Sequence, residues 1–223
     1  MNSNLFVKGI TRFLAGLVIV GLLLFLPAGT FRYPQAWLLM GILFVPMFIA
    51  GLVMMRKNPD LLERRLSARE KESEQKAVIL FSGIMFLAAF ILAGLSFRFG
   101  WLMLPFPVSI ISAVIFLAAY ALYAEVLREN TWLSRTIEVQ EDQKVVDTGL
   151  YGIVRHPMYM ATVFLFLSMP LVLGSVISFV IMLFYIPIIV KRIRNEEEVL
   201  TKDLQGYEAY KKKVRYRMIP FVW

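Results

Sequence analysis

Long apolar blocks dominate this chain, four of them near 10–28, 36–55, 77–96 and 105–124, and a longer one at 158–190. About 20 mostly apolar residues are what a helix needs to cross the hydrocarbon core of a bilayer. In lipid every backbone amide must be paired within its own segment, so such blocks fold as spanning helices. The last block is too long for one helix. It breaks at "PLVLGS", Pro170 to Ser175, where proline, glycine and serine end helices. It reads as two spans joined by a tight turn, the first short enough for its start to lie in the interface. The expected fold class is all-α: a polytopic integral membrane protein with about six transmembrane helices, the last two a helical hairpin. Apolar residues make up 59% of the chain, against roughly 45–50% in soluble domains.

Charge orients the spans. With the N-terminus inside, 22 of the 24 Lys and Arg fall on the cytoplasmic side, and only Arg32 and Arg98 fall outside. That asymmetry implies cytoplasmic N- and C-termini. Tyr33, Trp37, Trp101 and Trp132 near the span ends are expected to anchor the interfaces. The first 28 residues, with Lys8 and Arg12 ahead of an apolar core, are expected to stay as a span and not to be cleaved as a signal peptide. The loop 56–76 mixes both charge signs and reads as a solvated interfacial helix. The net charge of +8 suits an anionic leaflet and calls for no nucleic acid. The chain has no cysteine and one histidine, which excludes disulfides, thiolate nucleophiles and multi-histidine metal sites.

The one histidine lies in "GLYGIVRHPMYM", Gly149 to Met160, at the mouth of an apolar segment. A residue before proline is pushed off helical geometry, and proline is favoured at the first position of a helix. A helix is therefore expected to start at Pro157. Its first amides, at Met158, Tyr159 and Met160, then lack intrahelical partners and suit an anion. Arg155 is expected to anchor the cytoplasmic interface. The hairpin that follows brings 155–159 next to 191–197. There Arg192 and Glu196 are four apart and share a face with Leu200, while Glu197 and Glu198 rotate off it. The segment "YEAYKKKVRYR", with Tyr207 and Tyr210, reads as a basic helix lying on the membrane.

Taken in order, "VVDTGLYGIV", "RHPMY", a spanning hairpin, "RIRNEEEVL" and "GYEAYKKKVRYRMIP" resemble the isoprenylcysteine carboxyl methyltransferase family, part of a wider membrane group that includes phospholipid N-methyltransferases. The resemblance covers roughly residues 125–220. It divides the chain into four N-terminal spans, 1–124, and a methyltransferase-like core, 125–223. It implies an enzyme that uses S-adenosylmethionine, held in a cytoplasmic pocket above the last hairpin, and a lipid-like or prenylated acceptor. Carried over by position, Gln140 matches a cofactor-contacting glutamine. Gln143, Lys144, Val145 and Val146 match a segment along the adenosine, with "VV" in place of the commoner "LV". Tyr151 matches the tyrosine of a glycine turn. His156, Pro157, Met158 and Tyr159 match the cofactor-binding core, Glu196 a cofactor-binding acid, and Arg192 a substrate-binding arginine.

The chemistry of these residues suits that ligand. Free amides after Pro157 would take its carboxylate, Glu196 its amino group or ribose hydroxyls, and Tyr151 or Tyr159 its sulfonium face. No glycine-rich loop follows a strand, which excludes a Rossmann nucleotide site. Membrane sterol reductases, which use NADPH, share a similar C-terminal arrangement and form the alternative enzyme class. A non-catalytic interaction protein on the same scaffold is a third reading, and the presence of both Arg192 and Glu196 argues against it.

Overall fold

The computed structural model describes residues 3–67, 73–133 and 139–223. Every regular element among them is a helix: α1 (Ser3–Ala28), α2 (Pro34–Lys57), α3 (Pro59–Ser67), α4 (Ser73–Phe99), α5 (Phe106–Glu129), a short 3-10 turn (Gly149–Gly152), α6 (Pro157–Val172), α7 (Val176–Met182), α8 (Tyr185–Asp203) and α9 (Tyr207–Lys213). Five apolar stretches are long enough to cross a membrane: Leu5–Ala28, Pro34–Lys57, Leu80–Phe99, Phe106–Glu129 and Val176–Asp203. The sixth expected span, α6, is apolar but has only 16 residues, the short arm anticipated above. Between 11% and 33% of each long apolar window is buried inside the protein, so most of the apolar surface faces outward. Leu14, Val18, Leu22 and Leu26 on α1 and Ile111 and Val114 on α5 are examples. Apolar faces turned outward need lipid around them, and the chain is a multi-pass membrane protein.

The bundle packs around α4, α5 and α6. α6 lies along α5, α4 lies against α1 and α7, and α2 leans on α1 and α5. Leu24, Leu39, Phe116, Val172 and Leu173 fill the main core. A second core joins Met85 and Ala89 of α4 to Tyr159, Met182, Tyr185, Ile189 and Ile193 of the hairpin. Tyr33 belongs to the main core and not to the interface. It is fully buried, stacks on Phe97 at 4.0 Å and donates its hydroxyl to the Leu173 carbonyl at 2.6 Å. The need to pair a hydroxyl at membrane depth fixes it there. Trp37 and Trp101 remain exposed.

The hairpin turns where its breakers lie. Gly174 takes φ +74°, a left-handed conformation that glycine adopts without strain. Ser175 caps α7, accepting from the Ser178 amide at 3.3 Å. The returning arm is jointed. Leu183 and Phe184 separate α7 from α8; Pro187, in the first turn of α8, has no amide to carry the helix back to the Leu183 carbonyl, and α8 then runs on to Asp203. The expected loop helix at 56–76 is present in part as α3, and residues 68–72 of that stretch, like Arg135, lie outside the described residues.

Candidate active site

His156 caps α6 with φ −127° and ψ 59°, off helical geometry because proline follows, and Pro157 takes the first helical position. The segment before it is pinned from the far side of the chain. The Arg155 amide donates to the Tyr216 carbonyl at 2.9 Å, and the His156 amide to the Arg217 carbonyl at 2.7 Å. The Met160 amide is bonded to the His156 carbonyl at 3.2 Å. That corrects the expected trio of unpaired amides to Met158 and Tyr159.

The hairpin sets α8 against this helix start. Arg192 donates from Nε to the Tyr159 hydroxyl at 3.1 Å, and the same hydroxyl donates to Glu196 Oε2. Tyr159 is thus a bridge between the two charged residues that share a face of α8. One residue on, Glu197 faces the protein interior. Its Oε1 accepts from Arg155 Nε at 2.7 Å and lies 3.2 Å from His156 Nε2, while its Oε2 accepts from Arg217 Nε at 2.8 Å. Arg155 also donates to the carbonyls of Val214 and Arg215 at 2.7 and 2.8 Å. Arg155 is only 8% exposed and Glu197 7%. Arg155 is therefore an interior strut and not the interfacial anchor expected from its position. A buried cation keeps its charge only when it is paired and fully hydrogen-bonded.

The wall of the site facing α8 hangs from the end of α5. Both carboxylate oxygens of Glu129 accept from the Leu150 amide, at 3.3 and 3.0 Å. Gly149 leaves room for that carboxylate at φ +51°: a β-carbon there would stand 1.5 Å from Glu129 Oε1. Tyr210 donates to the Tyr151 carbonyl at 2.7 Å. Burial pushes the phenols of Tyr151, Tyr207 and Tyr210 above the ordinary tyrosine range. They stay neutral hydroxyls at physiological pH.

One cavity gathers most of the residues singled out from sequence. Gln143, Lys144, Val145, Val146, Tyr151, His156, Met158, Tyr159, Arg192 and Glu196 line it. Gln140 and Pro157 do not. Gln140 donates to the Trp132 carbonyl at 2.5 Å and so braces the wall, and Pro157 is buried at the helix start. Asn130, Trp132, Leu133, Arg155, Leu200, Leu204, Tyr207 and Tyr210 line the cavity as well, and sequence reasoning missed them. For Leu200 and Leu204 a signal was present, since they continue the four-residue ladder from Arg192 and Glu196. Tyr207 and Tyr210 were taken for membrane contacts. They are 3% and 5% exposed, and they pack with Leu204 and Val214 into a small core of their own. No cluster of three or more metal-binding side chains occurs among the described residues.

The polar groups in this cavity fit S-adenosylmethionine: a carboxylate that accepts, and an arginine, two helix-start amides and neutral phenols that donate, set beside valine and leucine. Comparison with known proteins gives two findings. Delta(14)-sterol reductase TM7SF2 of Mus musculus is 31% identical over 91 residues, which is 40% of this chain and 22% of that protein. The chain thus spans about a fifth of the length of that curated relative. The stretch that holds α5, the wall, the hairpin and α8, residues 106–202, matches the model of the isoprenylcysteine carboxyl methyltransferase family.

Proposed function

We propose that this chain is an S-adenosylmethionine-dependent membrane methyltransferase acting on a lipid-like acceptor, most plainly the carboxylate of an isoprenylcysteine-type substrate. The observation that carries the proposal is the Arg192–Tyr159–Glu196 arrangement at one cavity wall, inside the segment that matches the family model. When bound, S-adenosylmethionine supplies an electrophilic methyl group on a sulfonium. Glu196 and the amides of Met158 and Tyr159 hold its polar end, and Val145, Val146 and Leu200 cover its flat, apolar part. Arg192 orients the acceptor carboxylate by paired hydrogen bonds.

A carboxylate is already ionised at neutral pH, so none of these residues has to remove a proton. With S-adenosylmethionine bound, Arg192 would hold an acceptor oxygen toward the methyl group that the sulfonium would supply, and the products would be a methyl ester and S-adenosylhomocysteine. Catalysis of such a displacement is mainly positioning, and the bridged side chains supply it. An amine acceptor, as in phospholipid N-methylation, must first lose a proton, and His156 or Glu196 would have to take it. The orientation that puts both termini in the cytoplasm belongs to the same proposal and rests on the distribution of Lys and Arg.

The identity to a Delta(14)-sterol reductase favours a second reading, an NADPH-dependent membrane reductase. Incubation of membranes containing the chain with methyl-labelled S-adenosylmethionine and N-acetyl-farnesylcysteine tests the first reading. Base-labile label in the farnesylcysteine supports it. Label only in phosphatidylethanolamine moves the acceptor to an amine, and no label in any lipid refutes it.

A further inference from the structure

α2 packs into the bundle only along its first half. Gln35, Ala36, Leu39, Met40 and Phe44 are buried, and from Pro46 to Lys57 no residue is. Pro46 has no amide to donate to the Ile42 carbonyl, and a proline inside a helix bends it. From this point to the end of the helix a groove of about 680 Å³ lies between α2 and α5.

The two walls of the groove match. Pro46, Ala50, Val53 and Lys57 belong to one, and Leu117, Ala121, Ala124 and Arg128 to the other. Both sets step by four, three and four residues, so each is one face of its helix. Each face is apolar until its last member, which is a cation. The alanines keep the space between the walls open. Along either helix the groove extends for about 16 Å at the α-helical rise. The hydrocarbon of one leaflet is about 15 Å deep, half of a bilayer core. Ile49, Val53 and Leu117 are exposed, so the groove opens sideways to lipid.

Cations at the ends of spans are common. Here two of them, from different helices, stand at the same end of one apolar slot, with Asn58 and Thr131 beside them. Arg128 also donates to Glu125 at 2.5 and 2.8 Å. That pair is exposed, and such pairs contribute little, so a phosphate can compete with the carboxylate.

We infer that the groove binds one anionic phospholipid, with an acyl chain between α2 and α5 and the phosphate between Lys57 and Arg128. Basic sites between spanning helices recognise anionic headgroups in this way. The inference goes beyond the methyl-transfer reading and does not depend on it. The groove and the candidate active site share no lining residue. They are neighbours all the same: Thr131 lines the groove, while Asn130 and Trp132 line the cavity.

The full chain in detergent micelles is titrated with dioleoylphosphatidylglycerol and, separately, with dioleoylphosphatidylcholine, and bound lipid is counted by native mass spectrometry. The wild type is expected to hold one phosphatidylglycerol roughly tenfold more tightly than phosphatidylcholine. The double variant Lys57→Gln, Arg128→Gln is expected to lose that preference. Arg56→Gln, which removes a cation from the same last turn of α2 outside the groove, is expected to keep it. Ala121→Leu fills the groove and is expected to weaken phosphatidylglycerol binding by on the order of tenfold, with its lipid-free melting temperature unchanged. Ala124→Leu gives the same reading if Ala121→Leu does not fold. An equal loss in Arg56→Gln overturns the inference, since a diffuse basic surface then suffices. Wild-type binding in the groove-filling variants overturns it too, as does the absence of any preference in the wild type. Lipid-free dimers of the wild type that Ala121→Leu dissociates would give the groove to a second copy of the chain and overturn it as well.

Discussion

Tyr159, from the first turn of α6, accepts a hydrogen bond from Arg192 at 3.1 Å and donates one to Glu196, two residues of α8 that lie one helical turn apart. A single neutral hydroxyl therefore sets the positions of a cation and an anion that the proposed reaction uses in different ways. Hydrogen bonds to charged groups contribute about 1.5–3 kcal/mol. Tyr159→Phe is expected to lower kcat/KM for methyl transfer by roughly 10- to 100-fold. Steady-state kinetics check this, and a variant with wild-type kcat/KM would contradict it.

The two charged residues should separate kinetically. Arg192→Ala is expected to lower kcat and weaken the acceptor while leaving the affinity for S-adenosylhomocysteine within about threefold of wild type. Glu196→Gln is expected to weaken that affinity by roughly tenfold, through loss of a charge-assisted bond. Calorimetry on both variants, beside steady-state rates, distinguishes the two roles. The same loss pattern in both variants would contradict the assignment.

Glu197 should behave as a structural residue. It neutralises the buried Arg155 and faces His156 and Arg217. Removing one partner of a buried ion pair costs about 3–5 kcal/mol. Glu197→Ala is expected to lower the ligand-free melting temperature far more than Glu196→Gln does. His156→Ala is expected to cost stability as well as ligand affinity, because the ring lies against the same carboxylate. A Glu197→Ala variant that melts like the wild type would contradict the arrangement.

The glycine at 149 links the end of α5 to the cavity wall. Gly149→Ala puts a β-carbon where the Glu129 carboxylate sits and asks alanine to hold φ +51°. The expected outcome is loss of the Glu129–Leu150 hydrogen bonds, a lower melting temperature and weaker ligand binding. Glu129→Gln, which keeps the size and one acceptor oxygen, should be milder on both counts. Differential scanning fluorimetry on the pair checks the order.

Alkaline pH should loosen the C-terminal part of the protein. The phenols of Tyr151, Tyr207 and Tyr210 ionise at higher pH in the folded protein than the ordinary value of about 10. Raised folded values mean that the contribution to stability is present below the ordinary value and is lost as pH climbs past it. Melting temperature is expected to be insensitive to these groups from pH 7 to 9 and to fall above about pH 10. Tyr210→Phe should flatten that fall.

Much of this fold was legible because its signals are local. The apolar blocks announce the spans, Pro157 announces the start of α6, and Gly174 and Ser175 announce the hairpin turn. Arg192, Glu196 and Leu200 announce a shared face through their spacing. The rest depends on long-range pairing. Nothing near Arg155 says that it will meet Glu197, 42 residues further on, and the charge alone suggests an interface. Tyr207 and Tyr210, beside five basic residues, look like a membrane-lying helix until Val145, Leu200 and Leu204 are folded against them. The joint at Leu183 and Phe184 had a breaker in Pro187, which cannot donate an amide to the Leu183 carbonyl, but it sits inside an apolar run that reads as one continuous span.

The most direct test of the account is parallel calorimetric titration of the detergent-purified chain with S-adenosylmethionine and NADPH. Micromolar binding of S-adenosylmethionine, weakened in Glu196→Gln and absent for NADPH, is the predicted result. Binding of NADPH alone would contradict the methyltransferase and point to a reductase.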